Sequence, residues 1–262
     1  MALPLTNEVM AGWKRHLILL KELFPFTFVV VLWLIHLLQE FMGTSFADYS
    51  LYPRTLHGLA GIITAPLLHA NFSHLIGNSV PLIVLGMLLF SNYKEIAGKL
   101  FWMVYLTNGI VLWLFARDAF HLGASGVVYG LAFFLFFSGF IRKIPRLTML
   151  SFLIVFLYGS MVWGVFPFDP QVSWEAHLYG AISGLIFAYV LRRQGPQPIN
   201  YWADEEEIES LESSLTEEEK MLLTPEQLAE LEKKPETKPD VNSSEAIRIN
   251  YEYKENDVQI KK

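Results

Sequence analysis

Residues 123–141 read Gly-Ala-Ser-Gly-Val-Val-Tyr-Gly-Leu-Ala-Phe-Phe-Leu-Phe-Phe-Ser-Gly-Phe-Ile, nineteen residues without a single charge. A helix needs roughly 20 mainly apolar residues to cross a bilayer core. This run therefore spans a membrane, yet its first third is small and polar where lipid rewards bulk. Five further runs have the same character: 25–41, 74–90, 100–116, 147–166 and 174–191. The expected fold is an all-α, polytopic bundle of six transmembrane helices.

Composition agrees. The 262 residues are 53% hydrophobic and only 18% charged, with a mean hydropathy of +0.34. The charge is unevenly spread: residues 201–262 hold 18 Asp and Glu against 8 Lys and Arg, a net −10, and the first 200 residues hold 8 acids and 12 bases, a net +4. A soluble core cannot absorb so much apolar surface, which excludes an ordinary cytosolic enzyme and a disordered chain. The absence of cysteine excludes disulfides, thiolate metal sites and a cysteine nucleophile. The start does not read as a signal peptide, because Lys21 and Glu22 interrupt the early apolar run.

Loop cations give an expected direction. Ten (Lys14, Arg15, Lys21, Lys94, Lys99, Arg142, Lys143, Arg146, Arg192 and Arg193) fall on one side of such a bundle, and two (Arg54 and Arg117) on the other. Both termini are then cytoplasmic. Residues 1–24 form a cytosolic segment, 25–192 the membrane domain, and 193–262 an acidic cytosolic tail. The tail carries three capping-box patterns (Asp204 with Glu207, Thr216 with Glu219, Thr224 with Gln227), with Pro225 at a first-turn position and Leu211, Leu215, Leu222, Leu228 and Leu231 as packing residues. Short helices are expected there, then disorder after Pro235; a tail of this charge repels anionic lipid and nucleic acid. The long first loop, 42–73, contains an apolar stretch, 56–68, broken by Gly58, Gly61 and Pro66, which is expected to lie in the membrane interface.

Polar groups inside lipid are costly and so mark function. Three runs carry them at one depth, just inside the outer face. His74 and Asn78 lie four apart on the second, Ser125 begins the fourth with Tyr129 one turn on, and His177 begins the sixth. Gly126 with Gly130, and Gly180 with Gly184, are small-xxx-small pairs that let two helix backbones approach closely. A serine hydroxyl needs a base to become a nucleophile, and His177 can supply it. His74 and Asn78, with the Ser125 backbone N–H, can donate to developing negative charge. Tyr129 can hold the imidazole by stacking. Glu175 is expected on another helix face, and Asp118 and Asp169 in solvated loops, so the residues read as a dyad rather than a triad.

At this point three motifs together resemble the rhomboid intramembrane proteases: Gly123-Ala124-Ser125-Gly126-Val127-Val128-Tyr129-Gly130, the segment His69 to Asn78, and Ala176-His177-Leu178-Tyr179-Gly180 followed by Gly184. The likeness covers residues 25–192. It implies a serine endopeptidase that cuts in or beside the transmembrane helix of another membrane protein, with Ser125 as nucleophile, His177 as base, His74 and Asn78 at the oxyanion site, and Tyr129 supporting His177. Gly123 and Gly126 belong to the serine motif, and His69 matches a further histidine before the second helix. It also implies that the first loop is membrane-embedded and that the fifth span with residues 164–173 gates entry. No cofactor or metal is implied, a bacterial cell membrane is the expected home, and the partners are the lipid bilayer and transmembrane substrates. One departure is visible: the first loop has no Trp-Arg pair.

Other readings use the same residues. Ser125 could bond a carbonyl one turn back, and His74 and Asn78 could bond each other. His16, His36, His57 and His121 read as interfacial or packing residues. His57, His69, His74 and His177 could form a zinc site, but no His-Glu-x-x-His helix or carboxylate ligand accompanies them. A catalytically silent rhomboid-like protein that binds or escorts membrane proteins is the alternative from another class; such proteins lack the serine or the histidine.

Overall fold

A computed structural model describes residues 22–198. The N-terminal segment and the acidic tail, with its expected short helices and disordered end, lie outside the described residues apart from their edges. Every long element is a helix: α1 (Phe24–Met42), α2 (Phe72–Asn92), α3 (Ala97–Phe115), α4 (Ser125–Arg142), α5 (Pro145–Tyr158) and α6 (Trp174–Val190). Among the described residues the one extended pairing is an isolated antiparallel bridge, Leu51 with His121. Five helices are long and apolar enough to cross a membrane: α1, α2, α3, α4, and α5 with its 3-10 continuation. The last helix, α6, has 17 residues.

The centre of the bundle is α4. Of its apolar window 67% is buried, against 17% for the α5 segment, so α4 is core and α5 is a peripheral wall. Phe152, Phe156 and Met149 on α5 are exposed, which suits lipid contact. The most extensive packing is between α4 and α6, where Gly126 and Gly130 meet Gly180 and Gly184. A Cβ on Gly180 would collide with the Gly126 carbonyl oxygen, and one on Gly184 with that of Gly130. In lipid there is no hydrophobic drive between helices, so close backbone packing of this kind is a main source of cohesion.

The fifth expected span, 147–166, is not one regular helix. Its α-helical part ends at Tyr158, and Gly159–Val165 continues as a 3-10 helix. The tighter winding has poorer internal hydrogen bonds, and the Met161 and Gly164 carbonyls accept side-chain bonds from other helices.

The first loop folds into short turns, His57–Leu59, Gly61–Thr64 and Ala65–Leu67. A tryptophan and an arginine anchor it after all, from different elements. Arg54 donates to the carbonyls of Ala116 (2.7 Å) and Leu114 (3.3 Å) and pairs with Asp118, capping the end of α3. The Trp113 indole N–H donates to the Thr55 carbonyl at 3.0 Å, and Trp113 accepts from the Arg54 amide at 3.0 Å. Arg54 takes φ +57°, a costly conformation for a side chain of this size. Tyr105 bonds the Ile63 carbonyl, and the Gly123 amide donates to Ala65 at 2.8 Å. At the opposite end, buried Arg142 donates to Ser138 Oγ and to the carbonyls of Leu191, Arg192 and Pro196, which satisfies the open end of α6.

His69 closes the first loop against α2. It is 2% exposed, and neither ring nitrogen has a hydrogen-bond partner. Burial pulls its pKa down to about 3, so the ring is neutral and acts by packing. In an unfolded chain the same ring takes up a proton near pH 6.5. The unfolded state therefore binds more protons between those values, and folding stability falls as pH drops through this window. Lowering pH from 7 to 5 should reduce the melting temperature in detergent, and His69→Leu should flatten that slope. At the central seam, Gly180→Val should abolish accumulation of monodisperse protein, as read by size-exclusion chromatography.

Candidate functional site

His74, Ser125 and His177 lie at the N-terminal ends of the even-numbered helices. His74 is in the first turn of α2, Ser125 is the first residue of α4, and His177 is in the first turn of α6. Three chain segments that start on one face of the bundle thus deliver three kinds of polar group to one end of it.

The α2 end is set by Asn71, whose Oδ1 accepts from the His74 amide at 2.8 Å as an N-cap. Asn78 is buried and donates one amide hydrogen to the His74 carbonyl at 3.2 Å, leaving the second free. Both side chains converge on Gly123. A Cβ built there would lie 2.6 Å from His74 Cε1, 2.7 Å from Nε2, and 3.7 Å from Asn78 Nδ2. Gly123 also has φ +109°, which an L side chain rarely adopts. Conformation and space both demand glycine. His69 stacks edge-on to His74, with ring centroids 5.1 Å apart, and so backs that ring from the loop side.

The α4 end is open. Its N-cap is Ala124, with no side-chain cap, so the first amides of the helix, beginning with Ser125, have no intrahelical acceptor. Such an end attracts negative charge. Ser125 is half-buried, and its hydroxyl makes none of the hydrogen bonds among the described residues; the back-bond to a carbonyl one turn earlier does not form.

His177 is held from two sides. Its ring stacks on Tyr129 with centroids 4.2 Å apart and planes within 6°. The Tyr129 hydroxyl donates to the Met161 carbonyl at 2.8 Å, which fixes the stacking partner. His177 Nδ1 lies 2.9 Å from the Gly164 carbonyl oxygen. A carbonyl can only accept, so Nδ1 carries a hydrogen, and in the neutral ring Nε2 then holds the lone pair. Gly164 has no room for a side chain: a Cβ would strike the Tyr129 hydroxyl and approach His177 Nδ1 to 3.2 Å. Ser125 and His177 share no hydrogen bond; the helices that carry them meet at the glycine seam, where Gly126 is in backbone contact with Ala176 and Gly180.

Chemically, the arrangement offers a serine at an uncapped helix end, an imidazole whose Nε2 makes no hydrogen bond among the described residues, and the His74 and Asn78 side chains facing Gly123. Among the described residues no cluster of three or more His, Asp or Glu is placed to hold a metal ion. Beside Gly123 lies a cavity of about 20 Å³, room for one water, lined in part by Asn108, His121 and Ala176.

Four participants escape sequence reading. The Gly164 carbonyl is a backbone atom and leaves no residue-type signal. Asn108 is buried on α3 against Gly126, with its Oδ1 unpartnered. It sits in an apolar run as a lone carboxamide, which was a usable signal. Glu175, expected on another helix face from His177, is 2% exposed, with Arg117 Nε 3.6 Å from its Oε1. His121, expected only to pack, is buried and bonded to Ser173 Oγ at 2.7 Å. Asp118 is exposed as expected, although paired with Arg54, and exposed His57 bonds the Asp48 carbonyl at 2.6 Å.

The family model for the Rhomboid domain matches residues 57–194, more than half of the chain. An uncharacterized protein of Mycobacterium tuberculosis is 36% identical over 180 residues, covering 63% of this chain and 72% of its own length. An uncharacterized protein of Mycobacterium leprae is 36% identical over 180 residues, with 63% and 69% covered. The Bacillus subtilis protein YdcA, which bears the name of a proposed rhomboid protease, is 27% identical over 136 residues, 49% of this chain and 65% of its own. With apolar helices long enough to span a bilayer and the serine, histidine and asparagine motifs inside the matched region, the chain is an integral membrane protein of the rhomboid family.

Proposed function

We propose that this protein is an intramembrane serine endopeptidase that cleaves transmembrane segments of other membrane proteins by a Ser125–His177 dyad. The observation that carries the reading is the orientation of His177, whose Nδ1 faces the Gly164 carbonyl while its ring stacks on Tyr129. The Gly164 carbonyl accepts a hydrogen bond from Nδ1–H, so in the neutral ring Nε2 is the free base, on a ring stacked against Tyr129. Ser125 Oγ attacks the scissile carbonyl carbon as Nε2 accepts the hydroxyl proton. The oxyanion is met by the Ser125 backbone N–H, His74 and the free Asn78 amide hydrogen. His177 then passes its proton to the leaving amine, and water hydrolyses the acyl-enzyme by the same base. A backbone carbonyl orients the imidazole, the task a carboxylate performs in a triad. The dyad supplies nucleophile and base, so the reaction uses no cofactor.

The topology belongs to the same reading. In it six spans put both termini on one side, and the loop cations make that side the cytoplasm and the dyad's end the outer leaflet; at 17 residues α6 meets the lower limit for a span. The 25–192 domain is catalytic, and the 193–262 tail is a cytosolic appendage of a bacterial cell membrane protein. The 3-10 half of the fifth span, with residues 164–173, forms the entry side, because the Pro145–Val165 segment is the least buried of the five long apolar segments.

Purified protein tested against single-span substrates should cleave them, and Ser125→Ala should abolish cleavage and labelling by a fluorophosphonate. His177→Ala should lose labelling as well; labelling that persists would remove His177 as the base. Unaltered function of the Ser125→Ala protein would point instead to a silent binding or escort protein. Asn78→Ala should lower kcat by about 10²–10³-fold. Gly123→Ala should be more damaging, because it displaces His74 and strains the approach to Ser125.

A further inference from the structure

Ser125 and His177 ride on separate helices, and the glycine seam fixes only how close those helices lie. It does not by itself fix how deeply each helix enters. Two approach segments do: residues 116–124 lead into α4, and residues 166–173 lead into α6. They are joined by side chains outside the proposed dyad.

Arg117 spans the gap. Its Nη2 donates to the carbonyls of Pro170 at 2.8 Å and Val172 at 2.9 Å, and its Nε lies 3.6 Å from Glu175 Oε1. Beside it, His121 Nδ1 bonds Ser173 Oγ at 2.7 Å, and Nε2 lies 3.1 Å from the Arg117 carbonyl. The His121 backbone is itself paired with Leu51 of the first loop. All three segments around the site thus meet at one knot.

Glu175 is the costly member. Its side chain is 3% exposed, and neither carboxylate oxygen has a hydrogen bond. A buried ion pair contributes little to stability that an apolar pair would not match. What it does contribute is direction, since a planar guanidinium can hold two carbonyls on one edge and a carboxylate on another. The carboxylate sits in the first turn of α6, where the helix dipole favours it. In sequence Glu175 is two residues before His177, and Arg117 is eight before Ser125.

We infer that Glu175, acting through Arg117, is a positioning residue that sets the register of His177 against Ser125. The inference rests on the protease reading. Neither residue touches the reacting atoms. Their joint effect is to lock the two approach segments so that Nε2 and Oγ arrive at the same depth.

The test uses the full chain in detergent with a single-span substrate, comparing Glu175→Gln, Arg117→Lys and the double variant. Arg117→Lys keeps the charge at a partly exposed position, so it reports even if burial makes Glu175→Gln accumulate poorly. Each single change should lower kcat per folded molecule by about 10–100-fold, with KM held within about twofold and fluorophosphonate labelling slowed in step. The double variant should be no worse than the poorer single one, because the two act as a unit. Wild-type kcat in both single variants, with only a lower melting temperature, would overturn the inference and leave the protease reading intact. A wild-type chain that neither cleaves nor labels at Ser125 would overturn both.

Discussion

Contact between two helix backbones is the constraint on which this molecule depends. Where α4 and α6 cross, the carbonyls of Gly126 and Gly130 occupy the space that side chains at 180 and 184 would need. Only with glycine on both helices can a serine at the head of one and a histidine in the first turn of the other come near, because both side chains are short. Water would drive two such helices together by burying apolar surface, but lipid offers no such drive. The seam therefore supplies cohesion and reach at once.

Around that seam, the site is assembled from backbone atoms as much as from side chains. The ring of His177 is oriented by the Gly164 carbonyl and Tyr129 by the Met161 carbonyl, both from the 3-10 half of the fifth span. In a bilayer every free carbonyl is costly unless it finds a donor. A regular helix through residues 159–165 would have kept these carbonyls for itself. The irregularity is thus functional in position: it lends acceptors to the two rings that stack at 4.2 Å. The same segment belongs to the least buried wall of the bundle, which couples His177 to the part of the structure most exposed to lipid.

The first loop shows how an anchor can be rebuilt from separate parts. Its own sequence has no Trp-Arg pair, yet Arg54 reaches the end of α3 and Trp113 of α3 reaches back to Thr55. The loop in turn receives the Gly123 amide at Ala65 and the His121 backbone at Leu51. Its packing therefore bears directly on the turn that precedes Ser125, and Arg54 holds an unfavourable φ to keep it there.

Hydrophobic runs of spanning length decide that the chain is a helical membrane protein, and three short motifs single out one serine, two histidines and one asparagine as candidates. These are legible because lipid makes polar residues rare and therefore informative. The glycine pairs were legible for the same reason, since small residues in an apolar run serve packing. Tertiary structure alone decided that Glu175 turns inward to Arg117, that His121 ties two loops together, and that the acceptor for His177 is a main-chain oxygen. A helical face says where a side chain points but not what another loop brings to meet it, and a carbonyl is the same at every residue. Contacts between distant loops are set by the packing of whole helices, and no local pattern of residue types encodes them.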